Sequence, residues 1–359
     1  MDPYRIFLAL QCADSNTEFA AVSLSSHRRD FLAKAPDGSP VFLLHDSSAE
    51  NYSPSIALRH LSVQFHSTCR VRTNDETLDG QFAVVTCDAS VPDLYELFIR
   101  CFAAAVERLP VSADTSVLEE CVHGLLNLFR ALSQPNNREV AGLWAELYVI
   151  TCSSNISRAL AAWHADKFDR FDFSWSMGCL EVKATAKESR VHEFSLEQLM
   201  EPVNGHGFLA SVLLQPLSGG IGVMDLARKI EEAVSGEPLA RQKLWENVAS
   251  ALGSEFSDRL DRRFDLSYAE RHLVMYAMGD VPKPNRPSDT RITGIRFKSD
   301  LSQVSSSLAG DSLEPLRMWL RITFRIQFEI RCCPMGGVQM QTGYVKSRDE
   351  YTDGLHERH

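Results

Sequence analysis

Residues 168–199 read FDRFDFSWSMGCLEVKATAKESRVHEFSLEQL, and within them Asp172, Glu181 and Lys183 stand among apolar and small neighbours. The run breaks into two alternating segments, FDFSWS (171–176) and CLEVKAT (179–185), around Met177-Gly178. Alternation with a period of two, interrupted by a glycine turn, predicts a β-hairpin. Phe171, Phe173 and Trp175 then point one way and Asp172, Ser174 and Ser176 the other, while Leu180, Val182 and Ala184 take the apolar side of the second strand. Glu181 and Lys183 share the opposite face, where Asp172 can join them. The plain alternative is a solvated strand face whose ion pair contributes little.

Working outward, EVAGLWAELYVITC (139–152) before the hairpin has helical periodicity, with Leu143, Leu147 and Ile150 on an apolar stripe and Glu146 at its edge. After it, RVHEFS predicts a third strand, SLEQL a short helix, and GFLASVLLQPLSGG (207–220) a buried strand ended by glycines. The order over 137–216 is thus helix, strand, strand, strand, short helix, strand. Upstream, RIFLAL, FAAVSL, VFLLH, IALRHLSVQF and GQFAVVTC are short apolar runs between turn signals, which predict a mainly β module over residues 1–110. From Ser90 the period changes, and Leu94, Leu97, Phe98, Cys101, Phe102 and Ala105 recur at helical spacing up to Pro110. A helical bridge leads into the core at 111–220. Residues 221–359 begin with helices and end in strands, among them MWLRITFRIQFEIR (318–331), apolar on one face and mostly basic on the other. The expected fold class is mixed α/β (α+β).

Two carboxylates and an ammonium on one strand face suit metal-assisted phosphodiester hydrolysis. Mg²⁺ prefers hard oxygen donors and takes one or two carboxylates, leaving room for water and phosphate. Asp172 and Glu181 supply such oxygens, and the backbone carbonyl of Val182 is a further candidate ligand. Lys183 would hold the attacking water or stabilise charge growing on the phosphoryl oxygens. Other motifs give no competing chemistry: LSGGIGVMDLARK (217–229) lacks the G-K-[ST] of a phosphate loop, and no G-x-S-x-G elbow occurs. His123, His164 and His272 read as isolated core or surface histidines.

An Asp followed across a hairpin by E-x-K resembles the PD-(D/E)XK nuclease superfamily, the fold of many restriction endonucleases, whose core order is α-β-β-β-α-β. More specifically GLWAELYVI (142–150), Trp163 ahead of FDF, LEVKAT (180–185) and RVHEFSLEQL (190–199) resemble a bacterial family of PD-(D/E)XK members of unknown function, often encoded near restriction and phage-defence genes. The resemblance implies a restriction-endonuclease-like core flanked by the β-rich module and the C-terminal helical and β-hairpin region. It also implies that Glu146 faces the active site, where it ligates a second metal or orients water. Gln198 is expected to contact water or DNA, and Arg190 and His192 to contact phosphate. Mg²⁺ or Mn²⁺ is the implied cofactor. DNA, proteins of a restriction or defence system and a second copy of the chain are the implied partners. The proline of the motif's name is missing before Asp172. A catalytically silent subunit that keeps the fold to bind DNA or partner proteins is the rival from another class.

Composition bounds both readings. The 359 residues are 44% hydrophobic and 23% charged, ordinary for a globular chain. No apolar run is long enough to span a membrane, and MDPYRIFLALQCADS lacks the basic region and cleavage site of a secretory leader, so a cytoplasmic location is expected. Nine cysteines without C-x-x-C pairs are expected to stay reduced. A net charge of −10 excludes nucleic-acid coating by bulk electrostatics but leaves a local basic groove open.

Overall fold

The N-terminal β-rich stretch closes into a small barrel. Strands β1 (Glu18–Ser23), β2 (Phe31–Lys34), β3 (Pro40–His45), β4 (Ile56–Ala57), β5 (Leu61–Arg72) and β6 (Thr77–Cys87) form a sheet in the order β1-β2-β3-β6-β5-β4. Parallel pairing of Glu18, Phe19 and Ala20 with Arg70, Val71 and Arg72 joins β1 to β5 and closes five of these strands on themselves. Closure needs a bend, and β5 supplies one at an irregularity between Gln64 and Ser67, where His66 adopts φ 56°. Alternate residues fill the interior: Phe19 and Ala21, Phe31 and Ala33, Val41 and Leu43, Cys69 and Val71, Phe82 and Val84. The computed structural model describes residues 2–48, 53–132, 139–164, 169–202, 205–289 and 291–308. The expected strand at 318–331 and the polar tail lie outside them.

One expected strand is a helix. RIFLAL belongs to α1 (Pro3–Ala9), because Asp2 accepts from the amides of Tyr4 (3.0 Å) and Arg5 (3.3 Å) and Pro3 sits in the first turn. Its Phe7 packs edge-on against Tyr95. Helix α2 (Tyr95–Val106) covers the barrel's outside, where Phe42 of β3 meets Phe98 at 5.5 Å and Phe102 at 5.2 Å between ring centroids. Strand β3 is therefore buried on both faces, which explains its unbroken apolar run. The helical layer continues with α3 (Thr115–Ala131), α4 (Val140–Thr151) and α5 (Ile156–Ala162). It is completed by α6 (Val223–Ala233) and α7 (Pro238–Leu252).

The decisive stretch folds as the alternation predicts. β7 (Phe173–Trp175) pairs antiparallel with β8 (Gly178–Thr185) in the register Phe173 to Leu180 and Trp175 to Gly178. The third strand β9 (Val191–Ser195) follows, then a 3₁₀ turn at Glu197–Leu199, then β10 (His206–Leu213), which runs parallel to β8. Beyond come β11 (Pro216–Gly222), β12 (Arg263–Phe264), β13 (Leu273–Ala277) and β14 (Arg296–Asp300), interleaved with α8 (Phe256–Leu260) and α9 (Leu266–His272). A four-stranded sheet has the order β13-β10-β8-β7, whereas β9 leaves it to pair with β14. The element order over 140–213 matches the expectation with two changes: α5 is added before β7, and the short helix is only a 3₁₀ turn.

Gly178 marks where this sheet is tightest. A Cβ there would lie 2.6 Å from the carbonyl oxygen of His206 and 2.9 Å from the Trp175 ring, so only hydrogen fits between the hairpin and the start of β10.

Candidate functional site

Helix α4 is apolar on nearly every side, and its ten most central residues, Glu146 included, are buried apart from Gly142. A carboxylate with 2% of its surface exposed needs donors. Glu146 Oε2 accepts from Trp163 Nε1 at 2.8 Å and lies 3.3 Å from His164 Nε2. Trp163 and His164 reach it because α5 ends just before them and the chain then pairs along β7. Trp163 bridges to Phe173, the His164 amide donates to the Asp172 carbonyl at 2.8 Å, and Asn247 of α7 donates to the His164 carbonyl at 2.7 Å.

Asp172 immediately precedes β7. Its Oδ2 accepts from the amide of Val182 at 2.7 Å, so a side chain takes the place that the next backbone of β7 would fill in the ladder. Glu146, His164 and Asp172 each offer one ligand atom, and those atoms all lie within 4.8 Å of one another. Three elements thus meet at one point: a buried helix, the segment following α5, and the edge of the hairpin.

Glu181 and Lys183 form a second cluster on β8. Lys183 Nζ lies 2.8 Å from Glu181 Oε1, and Gln198 Nε2 donates to the same oxygen at 2.6 Å. Gln198 Oε1 in turn accepts from Lys183 at 3.4 Å and from the Ser195 amide at 3.0 Å. The solvated face of the plain alternative is in fact covered at Glu181. Glu181 is 2% exposed, and Cys179, on the same face, packs with Phe194 and Leu199 of the layer that β9 and the 3₁₀ turn lay over the sheet. The Lys183 ammonium stands 5.5 Å from the Phe194 ring centroid. Burial pushes the Cys179 thiol up to about 12, with Glu181 adding to the effect against Arg170, so that sulfur is unreactive.

Arg190 and His192 gather elsewhere, around Ser211 of β10, the strand partner of Lys183. The Arg190 guanidinium donates to the Ser211 carbonyl at 2.9 Å, to its hydroxyl at 3.0 Å and to the His272 carbonyl at 2.5 Å. His192 Nε2 lies 2.8 Å from the Ser211 hydroxyl. Burial, with Lys183 and Arg190 nearby, lowers the His192 pKa to about 4, so it carries no charge toward a phosphate at neutral pH.

The eight residues singled out from sequence therefore fall into three groups: Glu146 with Asp172 and Val182, Glu181 with Lys183 and Gln198, and Arg190 with His192. His164 is the addition. Read alone it is an isolated histidine, and only the pairing of Trp163 with Phe173 brings it to Glu146. The adjacency of Trp163 to a histidine just ahead of the first core strand was the one available signal.

No curated protein and no solved structure matches the chain. A family model described as "Putative PD-(D/E)XK family member (DUF4420)" matches residues 5–302. That match runs unbroken through the barrel, the helical layer and the hairpin, and the chain belongs to this PD-(D/E)XK family.

Proposed function

We propose that the chain is a divalent-metal-dependent endonuclease that hydrolyses DNA phosphodiester bonds, of restriction or phage-defence type. The observation that supports this most is the seating of the Asp172 side chain on the β8 backbone at Val182, the residue between Glu181 and Lys183 in sequence, while Glu146 arrives from α4 within reach of Asp172. The element order from α4 to β10 supports a restriction-endonuclease-like core. Family membership supports nuclease chemistry.

The donor set fits Mg²⁺ or Mn²⁺, which take carboxylate and carbonyl oxygens. Asp172, Glu181 and the Val182 carbonyl would hold the ion, and when bound it would polarise the scissile phosphate and acidify the attacking water. The chain's own groups do the rest. Lys183 carries three N–H donors and no acceptor, so it orients the water or meets charge developing on the phosphoryl oxygens. Gln198 grips Glu181 and Lys183 together and fixes their spacing. With a net charge of −10, the chain relies on local contacts or a partner to hold DNA. A double-strand break needs a second site, from another copy or a partner protein.

One observation favours the silent-subunit reading: Lys183 already pairs with Glu181 through its Oε1, as in a structural ion pair. Cleavage of supercoiled plasmid in Mg²⁺ or Mn²⁺ separates the two. The nuclease reading expects nicking by the wild type that falls at least ~100-fold in Asp172→Asn and in Lys183→Ala, the scale on which charge-stabilising groups act. A wild type no faster than either variant, with neighbouring gene products added, rejects it.

A further inference from the structure

We propose that His164 is a metal ligand, and that with Glu146 and Asp172 it makes a metal position with one nitrogen donor, which prefers Mn²⁺ to Mg²⁺. The inference rests on the metal-dependent reading above and goes beyond it, since that reading uses oxygen donors alone.

Three observations carry the assignment. The ligand atoms of Glu146, His164 and Asp172 lie within 4.8 Å of one another, on the scale of the about 4.2 Å that separates opposite donors on an ion bound at about 2.1 Å. The three come from separate elements, so their meeting owes nothing to sequence adjacency. The His164 backbone is also held in place: its amide donates to the Asp172 carbonyl, its carbonyl accepts from Asn247, and its neighbour Trp163 is tied to both Phe173 and Glu146. With the backbone held on both sides and Nε2 already turned toward Glu146, the ring has little to rearrange to take a ligand.

The chemistry of the donors sets the preference. Two carboxylates and an imidazole suit a first-row transition ion, whereas Mg²⁺ and Ca²⁺ favour oxygen throughout. A carboxylate accepts and cannot donate, so the hydrogen between His164 Nε2 and Glu146 Oε2 belongs to the histidine in the metal-free chain. A cation bound at Nε2 would take that hydrogen's place, leaving the ring hydrogen on Nδ1.

Pulsed electron paramagnetic resonance on the full-length chain loaded with Mn²⁺ tests this directly. Wild-type protein prepared with unlabelled histidine, and again with histidine isotopically substituted at the ring nitrogens, should show a manganese–nitrogen coupling that changes with the label. His164→Asn should lose that coupling and bind Mn²⁺ at least about tenfold more weakly, the lower bound seen when even an outer partner of a ligand is removed. Mg²⁺ binding should weaken less. A wild-type coupling insensitive to the label overturns the inference, as does no bound Mn²⁺, and both results come from the wild type without any variant that must fold. Retention of the coupling in His164→Asn overturns it too, since the chain's eleven histidines include other possible ligands. The plasmid assay keeps the two ideas apart. Coupling without cleavage retains the ligand and rejects the nuclease, and cleavage without coupling does the reverse.

Discussion

At the scale of single residues, what matters is which buried polar groups hold one another. Glu146 gives Trp163 its hydrogen-bond acceptor in the core. Glu146→Ala leaves that indole N–H unpaired and should cost about 2 kcal/mol in urea unfolding, while Glu146→Gln, which keeps an acceptor, should cost clearly less. His192 governs an acid response. Its pKa in the folded chain is lowered to about 4 from an ordinary value near 6.5, so between these values the unfolded chain binds a proton that the folded chain refuses. Stability should be full above pH ~6.5 and fall by about 3 kcal/mol as the pH drops toward 4, and His192→Asn should flatten that slope in urea melts across the range. A slope unchanged in the variant assigns the acid response elsewhere. The shared face of Glu181 and Lys183 was legible because a two-residue period fixes which face a strand side chain takes, whereas the grouping of Asp172 with Glu146 and His164 was not. The burial of Glu146 was not, because a charge at the edge of a helical stripe is placed by what packs against that edge.

Among elements, the β7–β8 hairpin was readable to within two residues, since alternation and a glycine turn specify both strands. The departure of β9 to β14 was not, because its partner lies about a hundred positions away and no local pattern encodes the pairing. RIFLAL misled for a related reason: six apolar-rich residues suit either a strand or a helical turn, and the Asp2 cap decides. The hairpin's seat against β10 is sensitive to volume. Gly178→Ala puts a methyl 2.6 Å from the His206 carbonyl and should destabilise the chain by about 1–3 kcal/mol. It should also lower cleavage more than the lost stability explains, because Glu181 and Lys183 ride on the displaced strand. Equal activity per folded molecule would show that the strand's position is not critical.

For the molecule as a whole, a closed barrel and a four-stranded sheet are joined through a helical layer that carries a buried ionic network. Arg100 of α2, 3% exposed, contacts Glu96 at 2.9 Å, Asp2 of the α1 cap at 3.2 Å, and Glu231 of α6. Arg100→Ala removes the cation these three carboxylates share, leaving Glu96 to Arg228 and Glu231 to the Trp245 indole, and should cost about 3 kcal/mol, whereas Arg70→Ala, which breaks an exposed pair with Asp79 across β5 and β6, should cost under about 1 kcal/mol. Paired thermal melts check the contrast, and similar losses in both would mean that the network is not what fastens the layer. Barrel closure was beyond the sequence, because the parallel β1–β5 contact joins segments some fifty residues apart. The proposed cation site lies at Asp172, where the hairpin, the α5 exit and α4 converge. An anomalous-scattering map from crystals grown in Mn²⁺ tests it most directly. A manganese peak within bonding distance of an Asp172 carboxylate oxygen is expected; manganese bound only at surface carboxylates, with none at Asp172, would contradict a cation site there.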